Sequence, residues 1–234
     1  MNERHVIFED LGQMDYKKAW ELQELRHASL VAQNDESRTP HGYLLFVEHP
    51  HVYTLGLHGD RNNLLIDPEF LNRINATYYH VNRGGDITYH GPGQLVGYPV
   101  IDIKRFSKGV KDYVFRLEES IIQTLKHYHL SARRLEKATG VWLDQEGRAP
   151  KKICAIGIRA SRGFSMHGFA FNINTQLEYF NWINPCGFTD KGVTSLQQEL
   201  GYTVDQQEVK TLLREALTDV FGMELVVAEQ IPKA

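Results

Sequence analysis

Arg83-Gly84-Gly85-Asp86-Ile87-Thr88-Tyr89-His90-Gly91-Pro92-Gly93-Gln94 is the least ordinary stretch of this 234-residue chain. A strand-like Ile87-Thr88-Tyr89 lies between two glycine-rich turns, with Arg83, Thr88 and His90 as its polar groups. Glycine lacks a Cβ, so a ligand can lie against backbone N–H groups there, and Arg83 is a candidate to hold an anion. The same letters suit two tight turns of a β-rich fold, so both readings stand at this point. The stretch is neither a GxxxxGK[ST] phosphate loop nor a GxGxxG dinucleotide turn.

Around it the chain alternates between helical and extended patterns. Residues 15–33 carry apolar Tyr16, Ala19, Trp20 and Ala28 near one face, which predicts a helix. The polar segment 34–42, with Thr39-Pro40, reads as a loop. Strands are expected at 43–48, 77–82 and 94–102. Over 110–129, Val114, Leu117, Ile121, Leu125 and Tyr128 recur at helical spacing. Strand-like runs follow at 140–144, 153–159 and 168–174, with Gly147 and Gly163 suited to the turns between them. Asp205 with Glu208 reads as a capping box opening a last helix to Phe221, with Gly222 at its C′ position. Helices separated by groups of strands, rather than strict β-α alternation, predict an α+β fold: a mixed β-sheet packed with helices. With no repeat, low-complexity tract or linker, one domain is expected over 1–234.

Lys and Arg number 26 against 29 Asp and Glu, a formal charge of −3, and the chain is 42% hydrophobic and 24% charged. That balance excludes a disordered tail or a fibre. The near-neutral charge argues against a dedicated nucleic-acid binder, which carries a basic excess. No apolar run approaches the roughly 20 residues that span a bilayer, so no membrane association is expected. Met1-Asn2-Glu3-Arg4-His5 lacks an apolar segment, and Glu3, Glu9 and Asp10 argue against a secretory signal; a cytoplasmic location follows as an expectation. Two cysteines, Cys154 and Cys186, are too few for a disulfide framework and lack CxxC spacing, so reduced thiols are expected.

Three further segments bear on chemistry. Lys151-Lys152-Ile153-Cys154-Ala155-Ile156-Gly157-Ile158-Arg159 puts two lysines at the mouth of an apolar run, where lysines commonly only solubilise a loop. Cys154, inside that run, reads as a small buried hydrophobe. In Asn184-Pro185-Cys186-Gly187-Phe188 the thiol sits in a turn where a substrate can reach it, though a lone loop cysteine is commonly inert. The eleven histidines raise the question of a metal or a triad. No HExxH occurs, and His49-Pro50-His51 holds its rings in a rigid turn, so no metal site is expected. A histidine partner for Cys186 stays open, because such partners come from distant sequence.

Taken together these segments resemble the lipoyl(octanoyl) transferase family, the octanoyl-carrier-protein:protein N-octanoyltransferases. The resemblance runs through Glu48-His49-Pro50, Val52-Tyr53-Thr54-Leu55-Gly56 and the Arg83 to Gln94 signature. It continues through Thr139-Gly140-Val141-Trp142, the segment from Lys152 to Arg159, His167-Gly168-Phe169-Ala170-Phe171-Asn172 and Asn184-Pro185-Cys186-Gly187.

The resemblance implies a fold like the catalytic domains of biotin protein ligases and lipoate ligases. It implies that Cys186 carries the acyl group as a thioester and that Lys152, rather than Lys151, partners it. The acyl pocket it implies is Arg83, Gly84, Gly85, Asp86, Ile87, Thr88, Tyr89 and His90, with Ala155, Ile156, Gly157, Gly168, Phe169 and Ala170. Ile156, Phe169 and Tyr89 are expected to line the groove for the C8 chain. The implied donor is octanoyl-acyl carrier protein. The implied acceptors are lysines of the lipoyl domains of 2-oxoacid dehydrogenase complexes and of the glycine cleavage H protein. No cofactor is implied, because a carrier-bound thioester is already activated.

Overall fold

Leu44 and Phe46 face one way from their strand and Tyr43, Leu45 and Val47 the other, and all five are buried. A strand apolar on both faces needs packing on each side, and the computed structural model has both. It describes residues 4–33, 39–145, 148–184 and 192–228. The strands are β1 (His5–Gln13), β2 (Gly42–Glu48), β3 (Val52–Leu55), β4 (Thr77–His80), β5 (Ile87–His90) and β6 (Gln94–Ile101). They continue as β7 (Ala132–Leu135), β8 (Ala138–Gln145), β9 (Arg148–Ser161), β10 (Phe164–Asn172), β11 (Gly192–Val193) and β12 (Glu224–Val227). The helices are α1 (Tyr16–Ala32), α2 (Pro68–Arg73), α3 (Ile103–Phe106), α4 (Val110–His127), α5 (Leu196–Leu200) and α6 (Gln206–Phe221).

Among the described residues the larger sheet has the order β12-β1-β2-β6-β10-β9-β8-β7, with β11 also paired to β9. β1 is parallel to β2 and β12, and β11 is parallel to β9; the other neighbours are antiparallel, so the sheet is mixed. A smaller sheet has the order β4-β3-β5. One face of the larger sheet buries Leu44, Phe46, Phe169 and Phe171 beneath Leu117, Ile121 and Leu125 of α4 and Leu213 and Leu217 of α6. The opposite face buries Tyr43, Leu45, Val96, Tyr98 and Ala170 with Ala19 and Leu30 of α1. The smaller sheet has its own cluster, with Tyr53, Leu55, Ile87 and Tyr89 packed on Tyr179 and Ile183. The described residues contain no helix long and apolar enough to cross a membrane.

Local signals set the helix ends. The Asp15 carboxylate accepts from the N–H groups of Lys17 and Lys18 and opens α1. Asp205 opens α6 by accepting from Gln207 N–H, and Gly222 closes it with φ 60°. The buried face of α1 differs from the expected one: Tyr16, Ala19, Gln23 and Leu30 are buried, whereas Ala28 is exposed. At about 100° per residue, Ala28 falls on the far side of the helix from Ala19, Gln23 and Leu30.

His49 ties three elements together at the turn after β2. Its Nδ1–H donates to the Met14 carbonyl at 2.7 Å, and its Nε2 accepts from the Tyr98 hydroxyl at 2.8 Å. Both ring nitrogens are thus matched in the neutral form, and burial pulls the pKa from 6.5 down to about 4. Stability is therefore expected to fall as the medium is acidified. Between pH 6.5 and about 4 the unfolded chain binds a proton at this position that the folded chain refuses, which favours unfolding. The full effect for His49 is on the order of 3 kcal/mol, from about 1.4 kcal/mol per tenfold change in proton affinity. Urea unfolding at about pH 7 and about pH 5 checks this. The midpoint should drop at the lower pH and His49→Gln should lessen the drop; equal slopes in the two proteins would count against a neutral buried imidazole.

Candidate active site

Ala155, Gly157, Gly168 and Ala170 bring small side chains, or none, to the central pair of strands, where Gly157 pairs with Gly168 and Ala155 with Ala170. They leave a cavity of about 290 Å³ bordered by the larger sheet, the smaller sheet and the start of α1. Its lining includes Tyr16, Val96, Tyr98, Trp142 and Lys152, together with Gly85 to Thr88 and His90 of the signature. A side chain cannot simply be added to this floor. A Cβ at Gly168 would meet the Gly97 carbonyl oxygen at 2.2 Å, and one at Gly157 the Gly84 carbonyl oxygen at 3.0 Å. Ile156 and Phe169 border the cavity, but their side chains pack with the cluster beneath α4. Alternation along each strand explains this, since neighbours of Ala155, Gly157 and Ala170 point to the other face.

Packing divides the signature. Thr88 and His90 border the cavity. Tyr89 does not, and this corrects the expectation from sequence: its ring is fully buried on the far side of β5, stacked on Tyr179 at 4.9 Å. Gly84 also stands outside the lining; its N–H donates to the Ile158 carbonyl at 2.8 Å and fastens the signature to β9. Arg83 is buried, and its guanidinium donates to Thr54 O at 2.6 Å, Thr54 Oγ1 at 2.9 Å and Gly84 O at 3.0 Å. Arg83 borders the cavity and also ties β3 to the signature through these bonds.

Lys152 and Gly157 lie five residues apart on β9, roughly 16 Å in an extended strand, so the cavity runs from the lysine towards Arg83, His90 and His167. The Lys152 ammonium lies over the Trp142 ring, 4.7 Å from its centroid. Lys152 borders the cavity and Lys151 does not. At the far end the imidazoles and the Tyr16 phenol are held neutral. Burial, reinforced by the positive charges of Arg83 and Arg159, lowers the pKa of His167 to about 3. Burial first, then the neighbouring His49, keeps His90 well below its ordinary value. Tyr16, stacked on His90, is pushed up to about 12 by burial.

Cys154 is wholly buried in the cluster beneath α4, and burial raises its thiol pKa against the opposing charge of Lys152. Cys186 lies outside the described residues, as do Pro185 and Gly187. The residues on either side of that segment are described. Asn184 N–H donates to Asn63 O at 2.8 Å, and Asn63 Nδ2 donates to Asp86 Oδ2 at 2.6 Å. Beyond the segment, Thr194 N–H donates to Lys152 O at 3.0 Å.

Several groups at the site are given no role there by the sequence: Tyr16, Tyr98, Trp142, His167, Asn172 and Thr194. Asn172 carried a usable signal, since a polar residue that ends an apolar strand such as Phe169-Ala170-Phe171 needs an internal partner once buried.

Residues 15–218 match the lipoyl protein ligase A/B catalytic domain model. An octanoyltransferase of Bacteroides fragilis is 51% identical over 223 residues, covering 95% of this chain and 97% of its own. Among solved structures, the bipartite lipoate protein ligase of Thermoplasma acidophilum superposes with a TM-score of 0.71 at 14% identity, over 97% of this chain and 87% of that one. A biotin protein ligase from Aquifex aeolicus, in complex with biotin and ATP, gives 0.53 at 15% identity over 92% and 70%. At such identities these two establish the fold alone. With half its residues shared with an octanoyltransferase and the family match spanning nearly its whole length, the chain belongs to the lipoyl protein ligase A/B catalytic domain family, on its octanoyltransferase branch.

Proposed function

We propose that the chain moves an octanoyl group from acyl carrier protein to a lysine of a lipoyl domain, in the cytoplasm, by way of a thioester on Cys186. A member of the octanoyltransferase branch is an acyltransferase. The observation that carries the reading is the narrow cavity, floored by Gly157, Gly168, Ala155 and Ala170, with Lys152 at one end. Such a slot suits an unbranched acyl chain, whose methylenes gain about 0.8 kcal/mol each on burial.

The steps balance as follows. The Cys186 thiolate attacks the carbonyl carbon of the carrier thioester, the tetrahedral oxyanion collapses, and the carrier thiolate leaves as a thiol by taking a proton from the Lys152 ammonium, which is left neutral. The acceptor lysine amine then attacks the Cys186 thioester, its proton passes to neutral Lys152, and the Cys186 thiolate is released with an amide formed. A free cysteine has a pKa of about 8.5 and is mostly protonated near neutrality, so a neighbouring ammonium raises the thiolate fraction. Lys152 acts in this reading as cation in the first step and as base in the second. Lipoyl domains of 2-oxoacid dehydrogenases and the glycine cleavage H protein are the proposed acceptors.

Mixing the protein with octanoyl-carrier protein, without ATP, should add one octanoyl group to it. Peptide mapping should find the label on Cys186, and hydroxylamine should remove it, as expected of a thioester. A label on Cys154, or labelling that requires ATP, would sink the proposal. Cys154→Ala should retain turnover and lose stability on the order of 1 kcal/mol, because its sulfur only fills space.

The two adjacent lysines should separate cleanly. Lys152→Ala should slow both half-reactions, and raising the pH should partly restore the first by supplying thiolate directly. Lys152→Arg keeps the charge but cannot accept a proton, so acylation should survive better than transfer. Lys151→Ala should leave both nearly unchanged. Single-turnover rates of each half-reaction decide this, and equal losses from Lys151→Ala and Lys152→Ala would refute the assignment.

A further inference from the structure

A line of six hydrogen bonds connects the far end of the cavity to Lys152. Arg83 Nη2 donates to Thr54 Oγ1 at 2.9 Å, and the Thr54 hydroxyl donates to His90 Nε2 at 3.4 Å. His90 Nδ1–H donates to Gln94 Oε1 at 2.9 Å, and Gln94 Nε2 to Asn172 Oδ1 at 2.9 Å. Asn172 Nδ2 donates to the Thr194 carbonyl at 2.9 Å, and Thr194 N–H to the Lys152 carbonyl at 3.0 Å. The direction is forced at each link. Arginine can only donate to Thr54, and a neutral His90 with its proton on Nδ1 leaves Nε2 to accept the Thr54 hydroxyl proton. Gln94 uses its NH2 group on Asn172 and on Tyr89 O, so its oxygen must face His90 and His90 must carry its proton on Nδ1. The residues from Thr54 to Thr194 in this line are buried, where an unmatched donor or acceptor costs more than a matched pair gains.

The last two links lie where β10 ends. β10 stops at Asn172, and β11 takes over its place beside β9 with Val193 opposite Lys152. A strand of two residues has little to hold it by itself, and the Asn172 amide reaches from the end of β10 to fix the carbonyl of the next residue, Thr194.

We infer that Asn172 and Gln94 are positioning residues for the transfer reaction: they fix β11 against the backbone of Lys152 and so set where its ammonium stands at the mouth of the cavity. This rests on the reading of Lys152 as cation and base. It assigns Gln94 and Asn172 a function distinct from lining the acyl slot, and it makes the signature an anchor of the catalytic lysine as well as a wall.

The test uses Asn172→Asp, which keeps the shape and removes the donor to Thr194; Gln94→Glu, which breaks the preceding link, serves if the first fails to fold. Amide exchange of Thr194 should accelerate by about tenfold or more while the amides of α4 keep their protection, the mark of local rather than global opening. The kcat for octanoyl transfer should fall by about tenfold to a hundredfold, as displaced catalytic groups do, with KM for the octanoyl donor little changed. Combined with Lys152→Ala, the variant should lose no more than Lys152→Ala alone. Unchanged Thr194 exchange, a lowered kcat without faster exchange, faster exchange without a lowered kcat, or losses that add to those of Lys152→Ala would each overturn the inference. The reading of Lys152 fails separately, if Lys152→Ala alone keeps full turnover while Asn172→Asp still loosens Thr194.

Discussion

The site depends on how closely two stretches of backbone approach each other at Gly84 and Gly157. The Gly84 N–H donates to Ile158 O, and the Gly84 carbonyl oxygen lies 3.0 Å from where a Cβ of residue 157 would be. This contact closes the smaller sheet onto the larger one and turns the space between them into a slot instead of an open cleft. Arg83 reinforces it by donating to Thr54 on β3. Because the closure is made by main-chain atoms, a side chain at either residue would crowd it: a Cβ at 157 would meet that Gly84 oxygen, and one at 84 would meet the Ile158 carbonyl oxygen at 3.3 Å.

The buried histidines around the slot share one property: each is held neutral. His49, His90 and His167 are all kept unprotonated by burial, and the positive charge of Arg83 disfavours further protons at His90 and His167. Neutral imidazoles can both donate and accept, which lets His90 pass a hydrogen bond from Thr54 to Gln94. A protonated ring there would have to donate at both nitrogens, which would reverse the bond from Thr54 and leave it without an acceptor lone pair in the line.

Much of the fold is legible in the sequence because its elements obey short periods. The helical spacing of Val114 to Tyr128 and the aromatic and β-branched residues of 94–102 are local signals, and α4 and β6 follow them. What alternation cannot tell is which face meets the cavity. Tyr89 reads as an acyl contact because it lies inside the signature, yet both faces of β5 are buried, and only the packing of Tyr179 decides that Tyr89 turns away. The edge of the larger sheet was missed for a related reason. β1 is half-buried and ends in charged and polar residues, and β12 is four residues long, so their parallel pairing arises from contacts over two hundred residues apart. Gln94 and Asn172 announce themselves as polar residues in apolar strands, but their partners are distant in sequence and visible only once β6, β10 and β11 lie side by side.

The glycine and alanine floor bears on how the specificity of such a slot can evolve. Residues 157 and 168 already have the smallest side chain there is, and residues 155 and 170 have one methyl group each to give up. Point mutation of the floor can therefore shorten or obstruct the slot but can hardly deepen it. If the slot holds the acyl chain as proposed, with its carbonyl near Lys152, a lineage that came to accept longer chains would have to change the far end, where Tyr16 and His167 stand, and repack the start of α1 to do so. On that reading, selection for chain length would act on the helix that caps the slot and leave the strands that form it largely fixed.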